Sequence, residues 1–227
     1  MAELRSEEEQ VDALKRWWKE NGVSLIAGVA IAAAGVFGWN AWQSYQENQA
    51  SAASARYQQL INLTAGNQLD NADNVGGARE LVIEIIDNHG KTLYADLARL
   101  IDARLAVAQG NPSDARAALE TVIDASDRDY VKGLARLRLA RLQVADGDAE
   151  AALATLDTGV PDALAAQRAE VRGDAHHALG RESEAGAAWR EALDLAESRN
   201  QPLFGVQLKL DNLGLYNSGL DNQELDS

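Results

Sequence analysis

Any chemistry in this 227-residue chain must come from histidine, carboxylate, hydroxyl or arginine groups, because it contains no cysteine. Of its three histidines, His176 and His177 are adjacent. Neighbouring residues on a helix point about 100° apart, so the pair does not close readily on one metal ion. His89 falls at a predicted helix end, where a cation favours the dipole. Asp70 and Asp73 lie in the polar run AGNQLDNADNVGG. A calcium loop of the EF-hand kind alternates acids at positions 1, 3 and 5 before a glycine. This run does not, and a solvated turn is expected. Gly76 and Gly77 ahead of Ala78 can form an anion-binding helix entry, and a flexible entry accounts for them equally well. Glu150, Glu182 and Glu184 follow glycines, where they serve helix N-termini. The patterns HExxH, GxSxG, GxxxxGK[ST] and GxGxxG are absent. No catalytic residue, metal or cofactor is expected, and an enzyme is the least supported class.

The better chemistry is recognition by arginine beside apolar side chains. Leu100, Arg104 and Val107 recur in register as Leu137, Arg141 and Val144, and then as Glu170, Asp174 and His177. Such a strip can hold an extended or helical peptide, with arginine taking its carboxylates. Solvated or locally paired arginines are the alternative.

That register comes from a repeat. Ala103–Ala115 reads ARLAVAQGNPSDA, Ala140–Ala152 reads ARLQVADGDAEAA, and Gly173–Ala185 reads GDAHHALGRESEA. In each, a small residue precedes the turn glycine (Gly110, Gly147, Gly180) by seven positions and alanine follows it by five. A large apolar residue follows by nine: Leu119, Leu156 and Trp189. Helical hairpins with a glycine turn and small residues at the crossing follow the tetratricopeptide pattern, with a period near 34. The expectation is an all-α solenoid of about four hairpins. A degenerate first unit pairs Ala52–Leu63 with Ala78–Asn88, Pro202–Tyr216 forms a capping helix, and Ser218–Ser227 is a frayed tail. One hairpin cannot bury its apolar face alone; stacking supplies the core and a concave groove. A plain up-down bundle is the competing architecture.

Ahead of the repeats, no Asp, Glu, Lys or Arg occurs from Asn21 to Gln46. About 20 helical residues cross the ~30 Å hydrocarbon layer of a bilayer. The seven large aliphatic and aromatic side chains between Val23 and Phe37 favour insertion by about 2–4 kcal/mol together. Trp17 and Trp18 before the run, and Trp39, Trp42 and Tyr45 at its far end, match headgroup belts. A transmembrane helix over 23–45 is expected, with 1–22 on one side and 46–227 on the other. Arg5, Lys15, Arg16 and Lys19 precede it, whereas only Arg56 follows nearby. That asymmetry puts the N-terminus in the cytoplasm, and these bases can also meet anionic lipid. Ala50-Ser51-Ala52 and Ala53-Ser54-Ala55 resemble signal cleavage sites. The apolar run exceeds a signal peptide's 7–15 residues, which favours an uncleaved anchor. Ser24, Gly28 and Ala32 form a small-residue row that can admit a second membrane helix. Ordinary membrane-helix composition explains the row too.

The net charge is −14, of which −2 lies in residues 1–22 and the rest beyond the span. An acidic domain repels phosphate backbones, so nucleic-acid binding is not expected.

Taken together, EEEQVDALKRWW at 7–18 with the following KENG, Gly38-Trp39, LRLARLQVADGDAEAALATLD at Leu137–Asp157, Trp189 and LKLDNL at Leu208–Leu213 resemble the YfgM family of ancillary SecYEG translocon subunits. The resemblance implies a type II bacterial inner-membrane protein with a periplasmic tetratricopeptide domain. It implies association with SecYEG and with a membrane-anchored periplasmic chaperone of the PpiD type. The implied role is passing newly exported, unfolded proteins to periplasmic chaperones. A cytoplasmic contact with a stress-response regulator is implied as well. A structural scaffold of another envelope complex, without client binding, is the alternative.

Overall fold

A computed structural model describes residues 7–214, and the chain divides into two compact units, Met1–Ala52 and Ala53–Ser227. The described residues are helical, with no strand among them.

The first unit is carried by helix α1 (Glu7–Thr64). LKRWWKE and the apolar run therefore belong to one helix. Val23, Ile31 and Phe37 are 80, 74 and 73% exposed. Apolar side chains so bare in water cost free energy that a hydrocarbon layer removes. Among the described residues α1 is long and apolar enough to cross a membrane. Locally, the Asn21 side chain donates to the Trp17 carbonyl at 3.1 Å, so its amide is satisfied within the helix. Trp39 and Trp42 form a tilted ring pair at 5.2 Å.

In the second unit the helices run as hairpins. The last turns of α1 meet α2 (Ala72–His89). Ala53 is fully buried, and Leu60 packs with Val75, Ala78, Val82 and Ile85. Arg56 Nε lies 2.8 Å from Glu84 Oε1 across this hairpin. Helix α3 (Leu93–Ala108) pairs with α4 (Pro112–Ala125), α5 (Asp129–Ala145) with α6 (Ala149–Leu156), and α7 (Ala165–Ala178) with α8 (Glu182–Ser198). A short helix, α9 (Val206–Asn212), packs on α8. The expected four hairpins with a capping helix are therefore present.

The three turn glycines end α3, α5 and α7 in one way. Their φ values are +74°, +84° and +72° at Gly110, Gly147 and Gly180. Each places the next residue's N–H on a carbonyl five positions back: Asn111 to Ala106 at 2.9 Å, Asp148 to Gln143 at 2.8 Å, Arg181 to His176 at 2.9 Å. This is the Schellman closure, which satisfies a helix's last carbonyls and needs a left-handed residue. Asn200, with φ +51°, closes α8 by the same bonds, Gln201 N–H reaching the Ala196 carbonyl at 2.9 Å.

The core is a series rather than a single mass. One cluster joins the end of α1, α2 and α3, a second joins α3, α4 and α5, and a third joins α5, α6 and α7. The last joins α7, α8 and α9. The repeat's small and large positions are core positions: Ala103, Ala140, Ala115, Ala152, Ala185, Leu119, Leu156 and Trp189 are all at most 3% exposed.

Two boundaries differ from expectation. Helix α2 starts at Ala72, capped by Asn71 Oδ1 accepting the Asp73 N–H at 2.9 Å. Gly76 and Gly77 thus lie inside the helix, not at its entry. A Cβ on Gly77 would stand 3.4 Å from Leu63 Cδ1, so α1 and α2 come close there. The capping helix starts at Val206 rather than Pro202, because Gly205 is left-handed (φ +85°) and breaks the helical path. Tyr216 and Ser218–Ser227 lie outside the described residues.

Candidate peptide-binding groove

Six of the nine register residues line two cavities. Leu100, Arg104 and Val107 of α3 line a 230 Å³ cavity with Ala103, Leu119 of α4, and Arg138 and Leu142 of α5. Val144, Asp174 and His177 line a 390 Å³ cavity with Ala178, Trp189, Lys209, Asn212 and Leu213.

The other three, Leu137, Arg141 and Glu170, line neither cavity. Leu137 is fully buried in the third core cluster and borders no cavity; its side chain fills the α5–α6 interface instead. Arg141 is engaged already, its Nη2 lying 3.2 Å from Glu170 Oε2 on α7. The local pairing weighed in the sequence thus holds for Arg141. For Arg104 no carboxylate comes within ion-pair distance among the described residues.

A polar network borders the larger cavity. Trp189 Nε1 donates to the Glu170 carbonyl at 3.2 Å and to Asp174 Oδ1 at 3.0 Å. Lys209 of α9 places Nζ 2.7 and 2.9 Å from the Asp174 oxygens and 3.1 Å from Glu170 Oε1. His177 stacks obliquely on Trp189 at 5.6 Å. Four charged groups from three helices neutralise one another, so little charge remains for a ligand.

The smaller cavity is different. Its aliphatic floor meets two guanidinium groups and no acid. Arg138 Nη1 donates to the Leu100 carbonyl at 3.0 Å. Burial pushes the pKa of Arg138 down, and the neighbouring Arg141 and Arg104 cations push it further. Nearby, Tyr57 and Tyr94 form a tilted pair at 5.6 Å. Burial raises the Tyr57 hydroxyl pKa, and the Arg138 cation opposes that shift.

The glycine register did not select Arg138, Lys209 or Trp189 as groove residues. Arg138 stands nine before Gly147, where the sister repeats hold Ile101 and Val171. That is a core position, 8 and 0% exposed in those repeats. The signal was a charge at an apolar register position.

Elsewhere, no group of three or more His, Asp or Glu residues able to hold a metal ion occurs among the described residues. Ser24, Gly28 and Ala32 are all exposed on α1, as are Lys15, Arg16, Trp17, Trp18, Lys19, Trp39 and Trp42.

A family profile for a tetratricopeptide repeat-like domain matches residues 15–215. The chain is 30% identical over 117 residues to the ancillary SecYEG translocon subunit of Haemophilus influenzae, covering 52% of this chain and 54% of that one. It is 33% identical over 107 residues to the protein of the same name from Aggregatibacter actinomycetemcomitans, covering 47 and 49%. The chain thus spans about half the length of the relatives it matches. Both relatives bear the name to which the sequence resemblance pointed. No solved structure matches.

Proposed function

Because the chain belongs to the tetratricopeptide repeat-like domain family, we propose that it works as a membrane-anchored adaptor of the SecYEG translocon. Two relatives named as ancillary subunits of that translocon support the association. The observation that carries the reading is the pairing of a charge-free helical stretch with a repeat domain in one chain. The family and its relatives point to a binding protein rather than a catalyst.

In this proposal residues 23–45 span the bacterial inner membrane. The lysine and arginine excess before the span keeps residues 1–22 in the cytoplasm and sends 46–227 to the periplasm. Trp17, Trp18, Trp39 and Trp42 sit at the two interfaces, and Lys15, Arg16 and Lys19 meet anionic lipid. The face of Ser24, Gly28 and Ala32 meets a translocon helix. The repeat domain engages unfolded exported chains and passes them to a membrane-anchored chaperone of the PpiD type. Anchoring beside the exit raises effective concentration, so weak contacts suffice.

The test is solubilisation of the tagged chain from membranes in mild detergent, with identification of what co-elutes. SecYEG should co-elute, and protease added to spheroplasts should digest the repeat domain. Co-elution with an unrelated envelope complex and not SecYEG would replace this proposal with the scaffold alternative.

A further inference from the structure

We propose that the cavity between α3 and α5 docks an amphipathic segment of a partner protein, taking one large apolar side chain on its aliphatic floor and a carboxylate between Arg104 and Arg138. This names the partner chemistry for the protein-binding role proposed above, and so rests on it.

Arg138 stands apart from its counterparts in the other repeats. At its register position the neighbouring repeats carry Ile101 and Val171, both in the core. A cation in such a place costs free energy unless it is paired. Its hydrogen bond to the Leu100 carbonyl uses one of five donors on the guanidinium fork. No carboxylate reaches it within ion-pair distance among the described residues. Arg104 borders the same cavity and, among the described residues, also has no acid within ion-pair distance. Two close cations without an anion, in a chain of net charge −14, leave a place that a carboxylate would relieve. Arg forks match carboxylate geometry, and partial burial strengthens the pairing.

The apolar part sets the rest of the ligand. Leu100, Val107, Leu119 and Leu142 supply the floor, with Val107 53% exposed. At 230 Å³ the cavity is smaller than the roughly 300–1,000 Å³ of small-molecule sites. It fits a side chain better than a metabolite. Helix α9 shows the same mode with opposite sign. It buries Val206 and Leu210 fully and sets Lys209 on Asp174 and Glu170. On α3 and α5 the signs are exchanged, so the ligand is acidic.

The experiment uses the full chain in detergent micelles and fluorescence anisotropy with a labelled helical peptide carrying Phe and Glu one turn apart. Two matched peptides carry Gln or Lys in place of Glu. The Glu peptide should bind at least about tenfold tighter than either, equivalent to 1.4 kcal/mol, and added salt should narrow the gap. Arg104→Glu, an exposed change, should reverse the preference toward the Lys peptide. Arg138→Ile installs the sister repeat's residue and should raise the melting temperature by about 2–4 °C while erasing the preference. Equal binding of the three peptides, or a preference that survives Arg138→Ile, would overturn the proposal. So would a sedimentation experiment in which the chain self-associates through this face and excludes the peptide. If the charge preference fails while SecYEG still co-elutes, the docking site falls and the adaptor role stands. If SecYEG is lost but the preference holds, the reverse is true.

Discussion

Gly173 on α7 faces the indole of Trp189 on α8 so closely that a Cβ would stand 2.3 Å from Cδ1. The other repeats solve the same crossing with Ala103 opposite Leu119 and Ala140 opposite Leu156. A bulkier filler has been matched by removal of a methyl group. Gly173→Ala alone should cost about 1–3 kcal/mol by overpacking. Trp189→Leu alone should cost a similar amount through a cavity and two lost indole hydrogen bonds. The double variant restores the combination of the other repeats and should recover part of the loss. A double-mutant cycle from urea unfolding should give a coupling of about 0.5–3 kcal/mol; strict additivity would refute the pairing.

Asp96, 4% exposed, ties α3 to the loop before α5. Its Oδ2 accepts Ser126 Oγ at 2.7 Å and Arg128 Nη1 at 3.0 Å, and Arg99 lies 3.4 Å from Oδ1. Asp96→Ala strands a buried hydroxyl and two cations, and should cost about 2–3 kcal/mol. Unchanged denaturant midpoints would show that the network is incidental.

Burial raises the pKa of Asp102, with Arg79 opposing and Asp114 adding to the shift. A carboxyl whose folded pKa lies above its unfolded value of about 3.9 binds more protons when folded. Its ionisation therefore weakens the fold as pH rises through that window, and the penalty is full above the folded pKa. Asp102→Asn should raise the melting temperature at pH 7, and the gain should vanish below about pH 3.9. A gain independent of pH would point to another cause.

Lys209 holds α9 through Asp174 and Glu170. With its side chain 32% exposed, the pairing is partly screened. Lys209→Ala should lower the opening free energy of α9 by about 1–2 kcal/mol. Hydrogen exchange should then rise across 206–212 while α3 and α5 keep their protection. Uniform destabilisation of all helices would mean that α9 does not open separately.

The helical class, the apolar span and the hairpin register were legible in the sequence, because each depends on residues close along the chain. A glycine at a left-handed turn, a small residue seven positions back and a large one nine ahead are local facts about one hairpin. So was the polar Asn71–Asp73 stretch, although its use as a helix cap was not. What one hairpin does to the next was not legible. Arg104, Arg138 and Leu142 share a cavity only because α5 packs on α3, and Arg141 is taken out of the groove by a carboxylate 29 residues away. Lys209 reaches Asp174 across 35 residues. Periodicity tells which face of a helix is apolar, but burial and pairing between charges depend on distances through space. Leu137 and Arg138 are neighbours in sequence, and stacking alone placed one in the core and the other beside the cavity.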